Sequence, residues 1–220
     1  MRGKLLGLAV VLFVGAQASF AFDSSELNEV TFANTTGVTI KAIFFSPGDS
    51  GEWGPDIMGS ERTLPAKGKL SFYVHYPEST GTFDIMAVDE QDRAFIIYDY
   101  EFQDGQEEII QFRARDMADE MPNVDFVKLT LENTLSLDVH YLFLSPSDSK
   151  MWGVDILDEE TILASEDSVT FIVPVSEEAV DYDVMAVDED GDTYQFTVTL
   201  DPTEDETFTA SIESSDYVEN

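Results

Sequence analysis

The chain has 220 residues, no cysteine and a formal charge of −34 at pH 7. A disulfide framework and a lipid-bearing N-terminal cysteine are thereby excluded, and nucleic acid and anionic lipid are poor partners for so acidic a surface. Hydrophobic residues make up 43% and aromatic residues 12%, too much apolar material for a disordered acidic chain.

The chain opens with Arg2 and Lys4, then an apolar run from Leu5 to Val14, then small residues up to Ala21. This is the layout of a cleavable export signal over 1–21, and the run is too short to span a bilayer. Cleavage fits after Ala18 or after Ala21, and the second frame leaves a polar mature chain beginning Phe22-Asp23-Ser24. Loss of Arg2 and Lys4 takes the charge from −34 to −36. No later segment is long and apolar enough for a membrane span. The expectation is a secreted or periplasmic protein, held by its core alone.

From Glu29 onward the residues alternate in strand fashion. Val30 to Phe32 begins a strand that ends at Asn34-Thr35-Thr36-Gly37. Val38 to Ser46 is a longer one, with Val38, Ile40, Ala42 and Phe44 expected on one face. Pro47 to Gly51 breaks it, and Pro65-Ala66-Lys67-Gly68 is a further turn. Leu70 to Val74, Phe83 to Ala87, Phe95 to Ile97 and Glu107 to Arg113 complete the unit. The strands Val127–Leu131, Leu137–Ser145, Val169–Val173, Tyr182–Val187, Tyr194–Leu200 and Phe208–Ile212 then follow the same plan.

The second set is a copy of the first. Ser46-Pro47, Trp53-Gly54 and Met86-Ala87-Val88-Asp89-Glu90 recur 99 residues later as Ser145-Pro146, Trp152-Gly153 and Met185-Ala186-Val187-Asp188-Glu189. Asn34-Thr35 and Asp56-Ile57 keep the same offset. The units are too long for solenoid repeats and long enough for small domains. The expected organisation is a β-sandwich module over 22–114, a linker over 115–124, a second module over 125–214 and an acidic tail over 215–220. The fold class is all-β: two tandem sandwiches, immunoglobulin-like or a similar Greek key or meander. Each copy is expected to enclose its own interior.

Two features of the repeat could carry chemistry. The loop S-P-x-D-S-x-x-W-G-x-D runs from Ser46 to Asp56 and from Ser145 to Asp155. Trp53 and Trp152 are either plugs over the core or platforms for stacking a sugar ring. The turn Asp188-Glu189-Asp190-Gly191-Asp192 is either a tight hairpin turn or a calcium loop, since calcium takes six to eight oxygen ligands. If successive strands alternate direction, this turn and the Trp loop share one end of the module. Asp148 and Asp155 would then join Asp188, Glu189, Asp190 and Asp192 around calcium, the one candidate cofactor. A further strand within Ile57 to Leu64 would reverse that parity and separate them. In the first module Arg93 stands where the second has Asp192. His75 and His140 are not equivalent positions, and no nucleophile has a base nearby in sequence.

The Asn-Thr strand, the S-P…W-G loop and the D-E-D-G-D turn together resemble a group of small exported bacterial β-modules without established activity. Asn34, Ser46, Pro47, Trp53, Gly54, Asp84 and Asp89 carry the resemblance in the first copy. Asn133, Ser145, Pro146, Trp152, Gly153, Asp183 and Asp188 carry it in the second. The resemblance implies fold and export but no substrate. The leading expectation is a non-catalytic binding or structural protein, calcium-assisted, with avidity from two linked copies toward a polysaccharide. A secreted glycan hydrolase using acidic residues is one alternative; a periplasmic envelope protein with a protein partner is another.

Overall fold

A computed structural model describes residues 22, 24–59, 62–75, 81–102, 108–157, 161–176 and 178–219. The expected export signal lies outside them. Among the described residues no helix is long and apolar enough to cross a membrane. The regular structure of the described residues is β, apart from three single turns of 3-10 helix.

The first module contains β1 (Leu27–Thr35), β2 (Ile40–Pro47), β3 (Lys69–His75), β4 (Thr82–Asp89), β5 (Ala94–Glu101) and β6 (Glu108–Arg113). The second contains β7 (Asp125–Asn133), β8 (Val139–Pro146), β9 (Gly153–Val154), β10 (Ser168–Val175), β11 (Val180–Asp188), β12 (Thr193–Leu200) and β13 (Thr207–Ile212). In the first module β1 lies between antiparallel β3 and parallel β6, while β4 lies between β2 and β5. The second repeats this as β10-β7-β13 and β8-β11-β12. The chain changes sheet at each of its first three connections, so the arrangement is not a simple meander. Each module is a sandwich: Phe32 of β1 meets Phe45 of β2 edge to face at 6.0 Å, and alternate residues of both sheets line the space between.

The repeated Asn-Thr pair anchors this interior. Asn34 is fully buried and donates from Nδ2 to the carbonyls of Val38 (2.7 Å) and Leu64 (2.9 Å). Its Oδ1 accepts from the Thr36 amide and hydroxyl. Asn133 does the same with Leu137, Leu163 and the Leu135 amide. One side chain thus ties the end of the first strand to two later segments, as a further donor to the Leu64 and Leu163 carbonyls, which also accept from the Ile40 and Val139 amides.

The second strand departs from strict alternation. Ile40 opposes Asp89 but Ala42 opposes Val88, so Lys41 is an extra residue in the strand. This bulge puts Ile40 in the main core with Ile43 and Phe45, while Ala42 and Phe44 face the other way with Met86, Val88 and Ala94. The expected single face of Val38, Ile40, Ala42 and Phe44 is therefore corrected. A bulge turns the following side chains to the opposite side of the sheet. His140 occupies the matching position in β8.

The expectation of two self-contained interiors is also corrected. One cluster of buried residues runs from Val30 to Ile212 through both modules. The modules trade loops in a near-symmetric way. The Asp155 amide of the second Trp loop donates to the Tyr73 carbonyl of β3 at 2.9 Å, and the Asp56 amide of the first donates to the Ile172 carbonyl of β10 at 2.8 Å. Tyr73 and Ile172 are themselves 99 residues apart. The exchange is fuller on one side, where Val154 and Gly153 pair with Val74 and His75 as β9. Pro55 stands where the second loop has Val154, and it has no amide proton to give. Lead-in residues cross as well. Phe22, at the start of the first module, meets Tyr141 and Phe143 of the second at 5.0 and 5.8 Å with tilted rings. Met121, ahead of the second, packs on the Phe44 cluster of the first.

Candidate functional site

The S-P…W-G loop is built by its own polar residues. The Gly54 amide donates to Ser46 Oγ at 2.6 Å and the Glu52 amide to Ser50 Oγ at 3.0 Å. In the second loop the Met151 amide donates to Ser149 Oγ, and Ser145 Oγ donates to the Met151 carbonyl. A Cβ on Gly54 would collide with the Phe45 carbonyl oxygen, so glycine is needed for the loop to lie against β2. Beyond the loop the chain returns along β2: Asp56 bridges Phe44, and Leu64 exchanges two backbone bonds with Ile40.

That return decides where the acidic residues go. β2 and β4 are antiparallel neighbours, with Pro47 opposite Phe83 and Ile40 opposite Asp89. The Trp loop and the acidic turn therefore sit at opposite ends of the ladder, roughly 20 Å apart at ~3.3 Å per residue. The second module is the same, with Pro146 opposite Tyr182 and Val139 opposite Asp188. The expected meeting of Asp148 and Asp155 with Asp188, Glu189, Asp190 and Asp192 is corrected by this parity. Among the described residues no three His, Cys, Asp or Glu side chains are grouped as metal ligands.

Each acid instead has a local setting. Asp188 is buried; its Oδ1 accepts from the Asp190 and Asp192 amides at 3.0 Å, and Tyr194 donates its hydroxyl to Oδ2 at 3.0 Å. Burial and that carboxylate push the Tyr194 phenol up to about 12. Asp89 organises the first module's turn alike, but Arg93 supplies the second partner at 2.6 Å. Burial alone would raise the Asp89 carboxyl; the Arg93 guanidinium and the two amides outweigh it and hold it below the usual value. Glu189 and Asp190 are exposed, and Asp192 is half-buried. Replacing Asp188 by Ala removes three hydrogen bonds and is expected to cost about 2–3 kcal/mol. Thermal melts in calcium and in EDTA check the role. Equal losses are expected of a residue that closes the turn, and a loss confined to calcium would assign the turn to metal.

Asp155 belongs to neither cluster. Its Oδ1 accepts from the Leu142 and Leu157 amides at 3.0 and 3.2 Å. Asp56 repeats this with Ile43 and Met58. Desolvation raises the Asp56 carboxyl to about 6, against the lowering effect of both amides and Arg62. The native state therefore binds this proton more tightly than the unfolded chain, so the contribution is favourable below pH ~4 and is lost as pH rises through about 6. Asp56→Asn keeps the acceptor oxygen and removes the charge. It is expected to raise stability at pH 7 relative to pH 4 by about 2–3 kcal/mol compared with the parent, measured by urea unfolding at both pH values.

Asp148 sits at the loop end, close enough to add, with Glu52, to the burial that pushes the Tyr182 phenol well above its ordinary value. Tyr182 is fully buried and donates to the Trp53 carbonyl at 2.9 Å. Asp49 accepts from Ser149 Oγ and the Lys150 amide, and Glu52 accepts from the Ser176 amide. Much of the polar chemistry of these loops is thus spent between the modules.

The two Trp side chains are half-buried. Trp53 packs on the outer face of the β2-β4-β5 sheet, over the cluster of Ala42, Phe44, Met86, Val88 and Ala94. Its ring lies 6.4 Å from that of Tyr98, tilted by 44°. Tyr98 is 60% exposed. Asp84 shares this face of β4 with Met86 and accepts the Asp99 amide at 2.8 Å, and burial raises its carboxyl. Tyr98 has no motif to mark it. The one signal is that its counterpart, Thr197, is not aromatic.

No family model matches the chain, and no curated protein matches it. Among solved structures, similarity is found to CBMbc, a family CBM26 module of Eubacterium rectale Amy13K solved with maltoheptaose. It is 8% identical over 84% of this chain and 91% of that one, with a TM-score of 0.23. A candidate adhesin from Bacteroides ovatus is 8% identical over 95% and 98% of the two chains, with a TM-score of 0.21. At such scores neither likeness bears on the ligand, and the reading rests on this chain's own residues.

Proposed function

We propose that the protein is an exported, non-catalytic binding protein whose first module takes up a glycan on the Trp53–Tyr98 platform. The supporting observation is the aromatic pair itself. A 60%-exposed tyrosine stands beside an indole that a buried cluster fixes in place. Fixed aromatic faces offer large contact area at low entropic cost, and Asp84 adds a hydrogen-bond acceptor on the same face. The hydrolase alternative gains little. Asp56, the acid raised to about 6, is 3% exposed and receives backbone amides. The reading as an envelope protein with a protein partner draws on Met117 and Phe126, 49% and 45% exposed; the Phe126 ring lies 5.8 Å from that of Phe44, tilted by 38°.

The test is a glycan array probed with the mature protein and with Tyr98→Ala, followed by calorimetry on the best ligand. Tyr98→Ala is expected to fold normally and to weaken binding about tenfold, the loss of one stacked ring. An array with no retained glycan, or a variant that binds like the parent, would remove the proposal.

A further inference from the structure

The outer face of the β6-β1-β3 sheet holds a trough of about 480 Å³. Ala33 is its floor, 7% exposed, with Gln111 opposite on β6 and Lys69 opposite on β3. Ile109 adds an apolar side chain to the lining, and Lys67 and Thr35 line it as well. Lys67 is held in the left-handed region at φ 68 by a bond from its amide to the Asn34 carbonyl at 2.8 Å. Neither lysine meets a carboxylate among the described residues; the same holds for Lys128 and Lys150, whereas Lys41, Arg93 and Arg115 each have one.

The second module is a built-in comparison. Its backbone is the same there: Glu166 sits at φ 66 and its amide bonds the Asn133 carbonyl at 2.9 Å. The side chains are reversed in charge. Glu132 stands for Ala33, Glu166 for Lys67, Asp167 for Gly68 and Ser168 for Lys69. Ser211 stands for Gln111 and Thr209 for Ile109 in the ladder. The turn therefore does not require lysine, and the copies differ where the trough is lined rather than where the fold is held. In a chain with 45 acidic and 11 basic residues, two lysines lining one concavity are a local concentration of positive charge.

We propose that this trough binds a carboxylate-bearing sugar unit. The two ammonium groups would hold the carboxylate, Ala33 and Ile109 would meet an apolar face of the ring, and Gln111 and Thr35 would serve its hydroxyls. The site is separate from the Trp53–Tyr98 platform and does not depend on it. The acidic unit could be a free sugar acid or a residue within an anionic polysaccharide.

The experiment is calorimetric titration of the full mature chain with galacturonic acid, with trigalacturonic acid and with its uncharged methyl ester. The chain is also tested as K67E/K69S, which takes the residues its own second module already accommodates, as K69Q, and as K128Q, which removes one exposed lysine of the second module. The acids are expected to bind the parent, and the ester to bind about tenfold or more weakly. K67E/K69S should lose about tenfold or more, K69Q an intermediate amount, and K128Q nothing. The monomer binding as well as the trimer marks a free acid; the trimer binding far better marks a polymer. Several results overturn the site: no binding of either acid, equal binding of acid and ester, or unchanged binding in both lysine variants. A lysine-dependent dimer in sedimentation without sugar also overturns it, since a second copy would then fill the trough.

Discussion

Each module produced alone, as 22–118 or 119–220, is expected not to fold, and the two mixed are expected to fold together. The first module alone leaves the β3 edge without Val154 and Asp155. It also bares the Trp53 and Phe44 cluster on which Met121, Ile172 and Phe126 rest. The second alone loses Phe22 from Tyr141 and Phe143, and loses the backbone partner of Ile172. It also leaves the Tyr182 hydroxyl without the Trp53 carbonyl. Fully uncovering a large apolar side chain costs about 1.5–3 kcal/mol. Five or six such side chains therefore approach the whole stability of a domain, about 5–15 kcal/mol. Circular dichroism and amide spectra of the halves, apart and mixed, check this. A cooperative melt by either half on its own would show that the exchanged loops are an accessory to folding rather than part of it. Cleavage within 115–123 of the intact protein should likewise leave a folded, associated pair.

Asn34→Asp is expected to be among the most damaging single-atom-scale changes, at about 3–5 kcal/mol. The amide nitrogen of Asn34 donates to two carbonyls, those of Val38 and Leu64. A carboxylate has no proton to give them and would place its charge against two carbonyl dipoles at a fully buried position. The Thr36 amide and hydroxyl, which already bond the other oxygen, offset only part of this. The variant carboxyl should titrate well above the ordinary value in the folded state. Its penalty should then shrink as pH falls, because the native state gains a proton before the unfolded chain does. Urea unfolding at pH 7 and pH 4.5 measures both effects. Asn133→Asp should behave alike through Leu137 and Leu163. A loss below about 1 kcal/mol in both would mean the Asn-Thr pair is not the fastening described here.

Legibility differed sharply between local and long-range features. Turn residues and alternation located the strands of both sheets because both report on a few neighbouring residues. Asn34, Asp56 and Asp89 recur in the second copy since each fastens backbone within its own module. The bulge at Lys41 escaped notice, because one extra residue in a run of apolar side chains leaves no mark on composition. The direction of β4 relative to β2 hung on whether Ile57 to Leu64 ran back along the strand. That segment does so through backbone bonds at Asp56 and Leu64, and backbone bonds are indifferent to side-chain identity.

The sequence by itself determined that the chain is β-built and duplicated, where most of its turns fall, and that no sulfur bridge contributes. Only the tertiary structure decided that the two copies complete each other, that the Trp loop and the Asp188 turn lie at opposite ends of the ladder, and that Tyr98 stands beside Trp53. Apolar alternation says that a face is covered but not by what. The covering partners here, Phe22 on Phe143 and Met121 near Phe44, come from the other half of the duplication and have no spacing that announces them.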